Sequence, residues 1–210
     1  MASPEIHLHR GDLPAGLPLG KTIAIDSETM GLDLARDRLC LLQLSAGYGV
    51  CHLVQFAQGR SGNAYEAPNL KALLTDPSVT KIFHFARFDL AAIRRYLGVD
   101  CAPVYCTKVA SKLVRTYTDR HGLKDLCREL LGIELSKQQQ SSDWGAPELS
   151  QDQLAYAASD VLYLHDLRAK LDVMLAREGR SDLARACFDF LPARAALDIA
   201  GWEEIDIFAH

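Results

Sequence analysis

Apolar residues fall in short, closely spaced runs through the front half of the chain and recur at helical spacing behind it. Residues 6–9, 22–26, 38–45 and 50–54 are short segments in which apolar residues alternate or cluster, which predicts strands. Gly47 and Gly49 separate the last two, as a hairpin requires. A Gly-, Ser- and Asn-rich stretch over 58–68 predicts a loop, and Pro68 is placed to open a helix over 69–74. Residues 81–85 predict one more strand. Residues 87–97 carry an amphipathic helix pattern that stops at Gly98, a residue suited to the left-handed turn after a helix. The pattern stays helical over 107–115, 123–131 and a long segment from Ser150, where Ser150 and Gln153 make a capping-box signature. Pro192 is expected to interrupt or kink the last helical stretch. Strands first and helices later predict an α/β chain with a helical C-terminal half. No repeat or long linker divides the chain, so one domain over 1–210 is expected.

With 210 residues, 49% of them hydrophobic, one substantial core can be buried. The formal net charge of -4 argues for short substrates or a locally basic groove, because proteins that grip long duplexes through many phosphates are usually basic. There is no N-terminal apolar leader and no run of about 18 apolar residues, so a soluble protein without a membrane partner is expected. The six cysteines (Cys40, Cys51, Cys101, Cys106, Cys127, Cys187) form no C-x-x-C pair and lie mostly in apolar segments. That suits free thiols in a reducing cytoplasm. The seven histidines show no H-E-x-x-H and no finger spacing with the cysteines, which argues against zinc. A G-x-x-x-x-G-K-[ST] phosphate loop is also missing.

Four carboxylates and a tyrosine carry the chemistry. Asp26 and Glu28 sit in IAIDSETMGL, where strand alternation points both to one face. Asp89 lies in FHFARFDL, and Tyr156 and Asp160 lie one helical turn apart in YAASDVLYL. Brought together, the acids would repel one another and raise their own pKa values unless a cation sat among them. Oxygen-only ligation suits a hard cation, Mg²⁺ or Mn²⁺, and carboxylate-held hard metals serve above all phosphodiester hydrolysis. Singly, each segment has a plainer reading. Asp26 and Glu28 could open a solvated loop, and Asp89 could cap a helix or pair with Arg87. Tyr156 and Asp160 could be a buried ring and a surface acid on an amphipathic helix.

Asp-x-Glu, then Asp, then Tyr-x-x-x-Asp, in that order, resembles the DEDD exonucleases of the branch with a catalytic tyrosine. The words LLTDPSVTKIFHFARFDL and SSDWGAPELSQDQLAYAASDVLYL are more similar to ribonuclease D than to polymerase proofreading domains. The similarity runs over about residues 21–171. It implies a ribonuclease-H-like fold, with a mixed central sheet flanked by helices, and a single 3′-5′ exonuclease domain over 1–210, without the helical accessory domains of ribonuclease D. The ending GWEEIDIFAH resembles the compact alphaproteobacterial nano-RNase C enzymes, which remove short RNAs down to dinucleotides and assemble as rings of eight. A homo-oligomer is the matching expectation. Trp202, Ile205, Ile207 and Phe208 could instead form an apolar plug over the core.

The resemblance implies two-metal hydrolysis of the 3′-terminal phosphodiester of short single-stranded RNA, releasing nucleoside 5′-monophosphates. Asp26 would bridge two ions about 3.5–4 Å apart, Glu28 and Asp160 would complete the first site, and Asp89 would serve the second. Tyr156, with a free pKa of about 10, is expected to orient the attacking water rather than take its proton. Among Met30, Gly31 and Leu32, the resemblance makes Leu32 or its neighbour a wedge between the last two bases, with a core position as the alternative. His84 would contact the terminal nucleotide or a phosphate, or else be a buried, hydrogen-bonded histidine. Lys137, Gln138 and Gln140 are candidate phosphate ligands in what could equally be a solvated loop. Trp144 would stack on a base or anchor that loop. Three rivals stay open: ribonuclease D-like trimming of longer RNA, a DNA exonuclease, and an inactive nuclease fold that only binds nucleic acid.

Overall fold

The computed structural model describes residues 4–57, 64–136, 138–139 and 141–209. Its strands are β1 (Glu5–Arg10), β2 (Thr22–Thr29), β3 (Leu39–Gly47), β4 (Val50–Gln55), β5 (Thr80–Phe83) and β6 (Val104–Cys106). They form one sheet in the order β1-β4-β3-β2-β5-β6. The central pairs β2–β3 and β3–β4 are antiparallel, whereas β1, β5 and β6 add in parallel, so the sheet is mixed as expected. The β3–β4 hairpin turns on Tyr48 (φ 59°) and Gly49 (φ 77°). Positive φ at both central residues is what a two-residue hairpin matched to strand twist needs.

The helices are α1 (Pro68–Thr75), α2 (Ala86–Ala92), α3 (Thr107–Val114), α4 (Leu123–Leu126), α5 (Gln151–Leu162), α6 (Leu164–Arg177) and α7 (Ser181–Leu197). A π-helical turn, Ile93–Leu97, extends α2 and ends at Gly98 in the left-handed conformation. The expected capping box is present: Ser150 Oγ accepts from Gln153 N at 3.2 Å, and Gln153 Oε1 accepts from Ser150 N at 2.9 Å. Two expectations are corrected. The long helix from Ser150 breaks at Tyr163 (φ -104°, ψ -2°) into α5 and α6. Pro192 does not end α7, which runs through it while packed against α2, α3 and β6. Tertiary packing there outweighs the missing amide donor.

Alternation along the middle strands builds the core, with Ile23, Ile25, Leu42 and Leu44 all fully buried. Five of the six free cysteines are buried as small apolar groups, and Cys187 is partly so. Among the described residues no helix is long and apolar enough to cross a membrane. Helix α5 lies across β2, β3 and β4, and α2 packs against β2 and β5, so both converge on the end of β2.

Candidate active site

Asp26 and Glu28 lie within β2, and Gln43 is the register partner of Asp26 on β3. The Gln43 amide nitrogen lies 3.5 Å from both Asp26 Oδ2 and Glu28 Oε1, so the two carboxylates share a face as their spacing requires. From above, α5 brings in Asp160. Carboxylate oxygens of Asp26, Glu28 and Asp160 lie within 4.8 Å of one another. Asp89, in the first turn of α2, is buried and accepts a 2.6 Å hydrogen bond from Ser27 Oγ, between the two β2 acids. Arg87 does not pair with Asp89; its guanidinium takes Asp198 at 2.6 and 2.8 Å.

The group is electrostatically incomplete. Among the described residues, no Lys, Arg or His forms an ion pair with any of the four acids. Burial pushes Asp26 up to about 7. Glu28 is pushed up to about 10 by burial and then by the charges of Asp26, Asp160 and Asp89. Asp89 and Asp160 are raised by burial and by the Asp26 charge. Buried carboxylates that converge without a countercharge, and with only oxygen donors, fit a hard divalent cation.

That charge state has a measurable consequence. Without a cation, the folded protein keeps protons that the unfolded chain releases near the ordinary carboxyl pKa. Stability is therefore fully present below about pH 4 as far as these acids are concerned. It should fall as pH rises through about 7 for Asp26 and toward about 10 for Glu28. A divalent cation replaces the protons and should flatten the slope. Thermal melts between about pH 5 and pH 8.5, with and without Mg²⁺, read this directly. A flat profile in the cation-free protein would mean that the acids do not crowd one another.

Tyr156 stands one turn before Asp160. Burial, then Asp160, Glu28 and Asp26, raise its phenol well above the ordinary value. The Trp144 ring lies 6.0 Å away, centre to centre. Trp144 is only 2% exposed, so it anchors its loop behind Tyr156 and cannot offer a face to a base. The capping glutamine helps to fix that loop, since Gln153 Nε2 donates to Asp143 O at 3.1 Å.

Met30 and Leu32 are 50% and 85% exposed, which rules out a core role for Leu32. Gly31 between them leaves room for Asp37, since a Cβ there would lie 2.3 Å from Asp37 Oδ2 and would force that carboxylate to shift. His84 is half-buried, with Nδ1 2.8 Å from Thr107 Oγ1. Burial, then Lys108, pull its pKa down to about 3. A neutral ring tied to Thr107 is not the cation that a phosphate contact calls for. Gln138 is exposed in its loop, and Lys137 and Gln140 lie outside the described residues.

Three contributors escaped the sequence reading. Ser27 and Gln43 tie the carboxylates together. Phe85 takes a left-handed backbone (φ 69°), is 45% exposed and carries Lys108 Nζ 4.1 Å over its ring. Such strained backbone at a non-glycine residue is typical of functional sites. Phe85 and Leu32 line one cavity of about 460 Å³ with Phe88, Arg87 and Arg95. The only sequence signal for Phe85 was its place beside His84.

The fold has close counterparts. Brucella melitensis NrnC bound to pGG is 56% identical with a TM-score of 0.94, covering 99% of this chain and 100% of that chain. The same protein with bound Mg²⁺ is 55% identical with a TM-score of 0.92, covering 98% and 99%. Ribonuclease D of Acidiphilium cryptum is 34% identical over 160 residues, which is 76% of this chain and 39% of that protein. The chain thus spans about two fifths of the curated relative's length. A family model described as 3′-5′ exonuclease matches residues 15–176. That stretch carries all four acids and Tyr156 and makes up most of the sequence: the chain belongs to the 3′-5′ exonuclease family.

Proposed function

We propose that the protein is a 3′-5′ exoribonuclease that degrades short single-stranded RNAs, down to dinucleotides, to nucleoside 5′-monophosphates with Mg²⁺ or Mn²⁺. The convergence of Asp26, Glu28 and Asp160 within 4.8 Å, with Asp89 buried beside them, carries this reading. Asp26, Glu28 and Asp160 would hold one ion, and Asp26 and Asp89 a second. When bound, such ions acidify a water and neutralise charge on the leaving 3′-oxygen. The likeness to Brucella melitensis NrnC, solved with pGG and with Mg²⁺, supports a short substrate and magnesium.

The chain's own groups do the positioning. Gln43 holds Asp26 and Glu28 side by side. Tyr156 keeps its proton at neutral pH and donates it in a hydrogen bond that orients the attacking water. Trp144 holds the Tyr156 ring from behind. Leu32, on a loop where Asp37 Oδ2 accepts from Asp33 N at 3.1 Å, wedges against the terminal bases, and Phe85 offers a stacking face. Arg95 lines the same cavity and has no ion-pair partner among the described residues, so it is available to a terminal phosphate. The exposed apolar tail residues Trp202, Ile205, Ile207 and Phe208 suit contact between copies, in line with a homo-oligomer such as a ring of eight. Buried free thiols fit a cytoplasmic location.

A dinucleotide enzyme has few contacts, so a 5′-phosphate supplies a large share of its binding energy. A long-RNA enzyme spreads affinity over many phosphates and shows a steep salt slope. Turnover should be fastest on 5′-phosphorylated RNAs of two to a few nucleotides and depend weakly on salt. Arg95→Ala should weaken a phosphorylated dinucleotide by roughly tenfold, the worth of one charge-assisted hydrogen bond. A thirty-nucleotide RNA should be affected less. Preference for the long RNA, or indifference to the 5′-phosphate, would favour ribonuclease D-like trimming instead.

A further inference from the structure

Register partners in a sheet share a face. Asp26 pairs with Gln43, Gln43 with Leu53, and Leu53 with Leu8, so the face of the acidic group runs out at Leu8. Glu5, His7 and His9 are the alternate residues of β1 and point the other way, with His52 of β4 directly opposite His7. Three imidazoles gather there. Ring centres of His7 and His52 are 5.1 Å apart, those of His9 and His52 5.3 Å, and those of His7 and His9 6.5 Å. Nε2 of His9 lies 3.0 Å from Nδ1 of His52, and Nε2 of His7 lies 2.9 Å from Glu5 Oε1.

We propose that Glu5, His7, His9 and His52 form a second cation site, on the opposite face from the acidic group, for a nitrogen-preferring divalent ion, Zn²⁺ above all. Three imidazoles and one carboxylate fill a tetrahedral zinc shell. Zn–N bonds of about 2.0–2.1 Å at tetrahedral angles put two ligand nitrogens about 3.3 Å apart. His9 and His52 already stand at 3.0 Å. Two ring nitrogens in such contact share one proton, and one of them presents a lone pair. A metal ion can replace that proton only once both rings turn off the line joining the two nitrogens, because bonds of about 2.0–2.1 Å cannot be made to an ion midway between atoms 3.0 Å apart. His7 completes the shell by turning from Glu5 toward the ion, and its side chain is 41% exposed, with room to turn. The backbone need not move, because the i, i+2 pair and its cross-strand partner are fixed by the strand ladder.

Ligand softness sorts the two sites. Mg²⁺ prefers the all-oxygen acidic group, whereas imidazole nitrogen selects Zn²⁺ and its neighbours in the series. Neither H-E-x-x-H nor finger spacing would announce such a site. His9 and His52 are 43 positions apart in sequence, so no short motif joins them. An ion there would tie edge strand β1 to β4 and stabilise the folded state by mass action.

Co²⁺ is the probe of choice, added to Mg²⁺-saturated protein. Four-coordinate Co²⁺ with imidazole ligands absorbs intensely in the visible, whereas octahedral Co²⁺ among oxygens is faint. The wild type should develop the intense bands at one equivalent, lose them to added Zn²⁺, and melt at a higher temperature in Zn²⁺. His9→Ala and the closer-sized His52→Asn should abolish the bands and weaken Zn²⁺ binding by about a hundredfold or more. Mg²⁺-dependent hydrolysis of short RNA should stay unchanged in both. Absence of the bands in the wild type overturns the proposal, as does undiminished Zn²⁺ binding in both histidine variants. Loss of the bands on Asp26→Ala, with the histidines intact, would put the ion in the acidic group and overturn it equally.

Discussion

Asp26→Ala should lower the hydrolysis of a short RNA in Mg²⁺ by at least about a thousandfold while leaving the fold intact. A bound cation supplies several kcal/mol of transition-state stabilisation, and each 1.36 kcal/mol is tenfold in rate, so losing about 4 kcal/mol gives that factor. Asp26 is the acid whose charge raises Glu28, Asp89 and Asp160 alike, so it lies at the centre of the group. Removing it relieves repulsion among the others, and the cation-free variant should melt at or above the wild type. Asp160→Ala should behave in the same way. EDTA should mimic both, with recovery in Mg²⁺ or Mn²⁺ and not in Ca²⁺, whose longer and looser coordination spoils in-line geometry. Single-turnover rates measured beside thermal melts separate lost chemistry from lost folding. Near wild-type activity in both variants would remove the metal-site assignment.

Tyr156→Phe keeps the ring on Trp144 and deletes one hydroxyl. Groups that position water or transfer protons contribute about 10²–10⁴-fold, and kcat should fall within that range. Dinucleotide affinity should hardly change if, as proposed, the phenol meets the water and not the nucleotide. The phenol is raised above its ordinary value, so it does not ionise near neutrality and the defect should be the same across neutral pH. A single-turnover kcat equal to the wild type would make Tyr156 a packing residue and leave the water to other groups.

Local rules explain which parts of this molecule could be read in advance. Asp26 and Glu28 were legible because strand alternation fixes their relative direction whatever the rest of the fold does. Tyr156 and Asp160 were legible for the same reason on a helix, and the Ser150–Gln153 capping box and the Gly98 stop are equally local. Long-range packing hid the rest. Trp144 and Leu32 are both large apolar residues in loops, yet one is 2% and the other 85% exposed. Only the tertiary fold separates them. Strand β6, three buried residues long, is too short to show a period. The break at Tyr163 has no Gly or Pro to announce it, and Phe85 adopts a left-handed backbone that its side chain disfavours. The pairing of Ser27 with Asp89 spans 62 positions, and the stacking of His7 on His52 depends on strand register, which no composition encodes.

The acidic group is held to cleave RNA at its 3′ end with a divalent cation, and a time course on one short 5′-labelled RNA tests that most directly. The RNA is incubated in Mg²⁺ with wild type and with Asp26→Ala, and the products are resolved by length and by the position of their phosphate. The expected result is a ladder that shortens one nucleotide at a time from the 3′ end. It should release nucleoside 5′-monophosphates and be absent with Asp26→Ala or EDTA. Internal cuts from the earliest times, 3′-phosphorylated products, or cleavage that survives both treatments would contradict it.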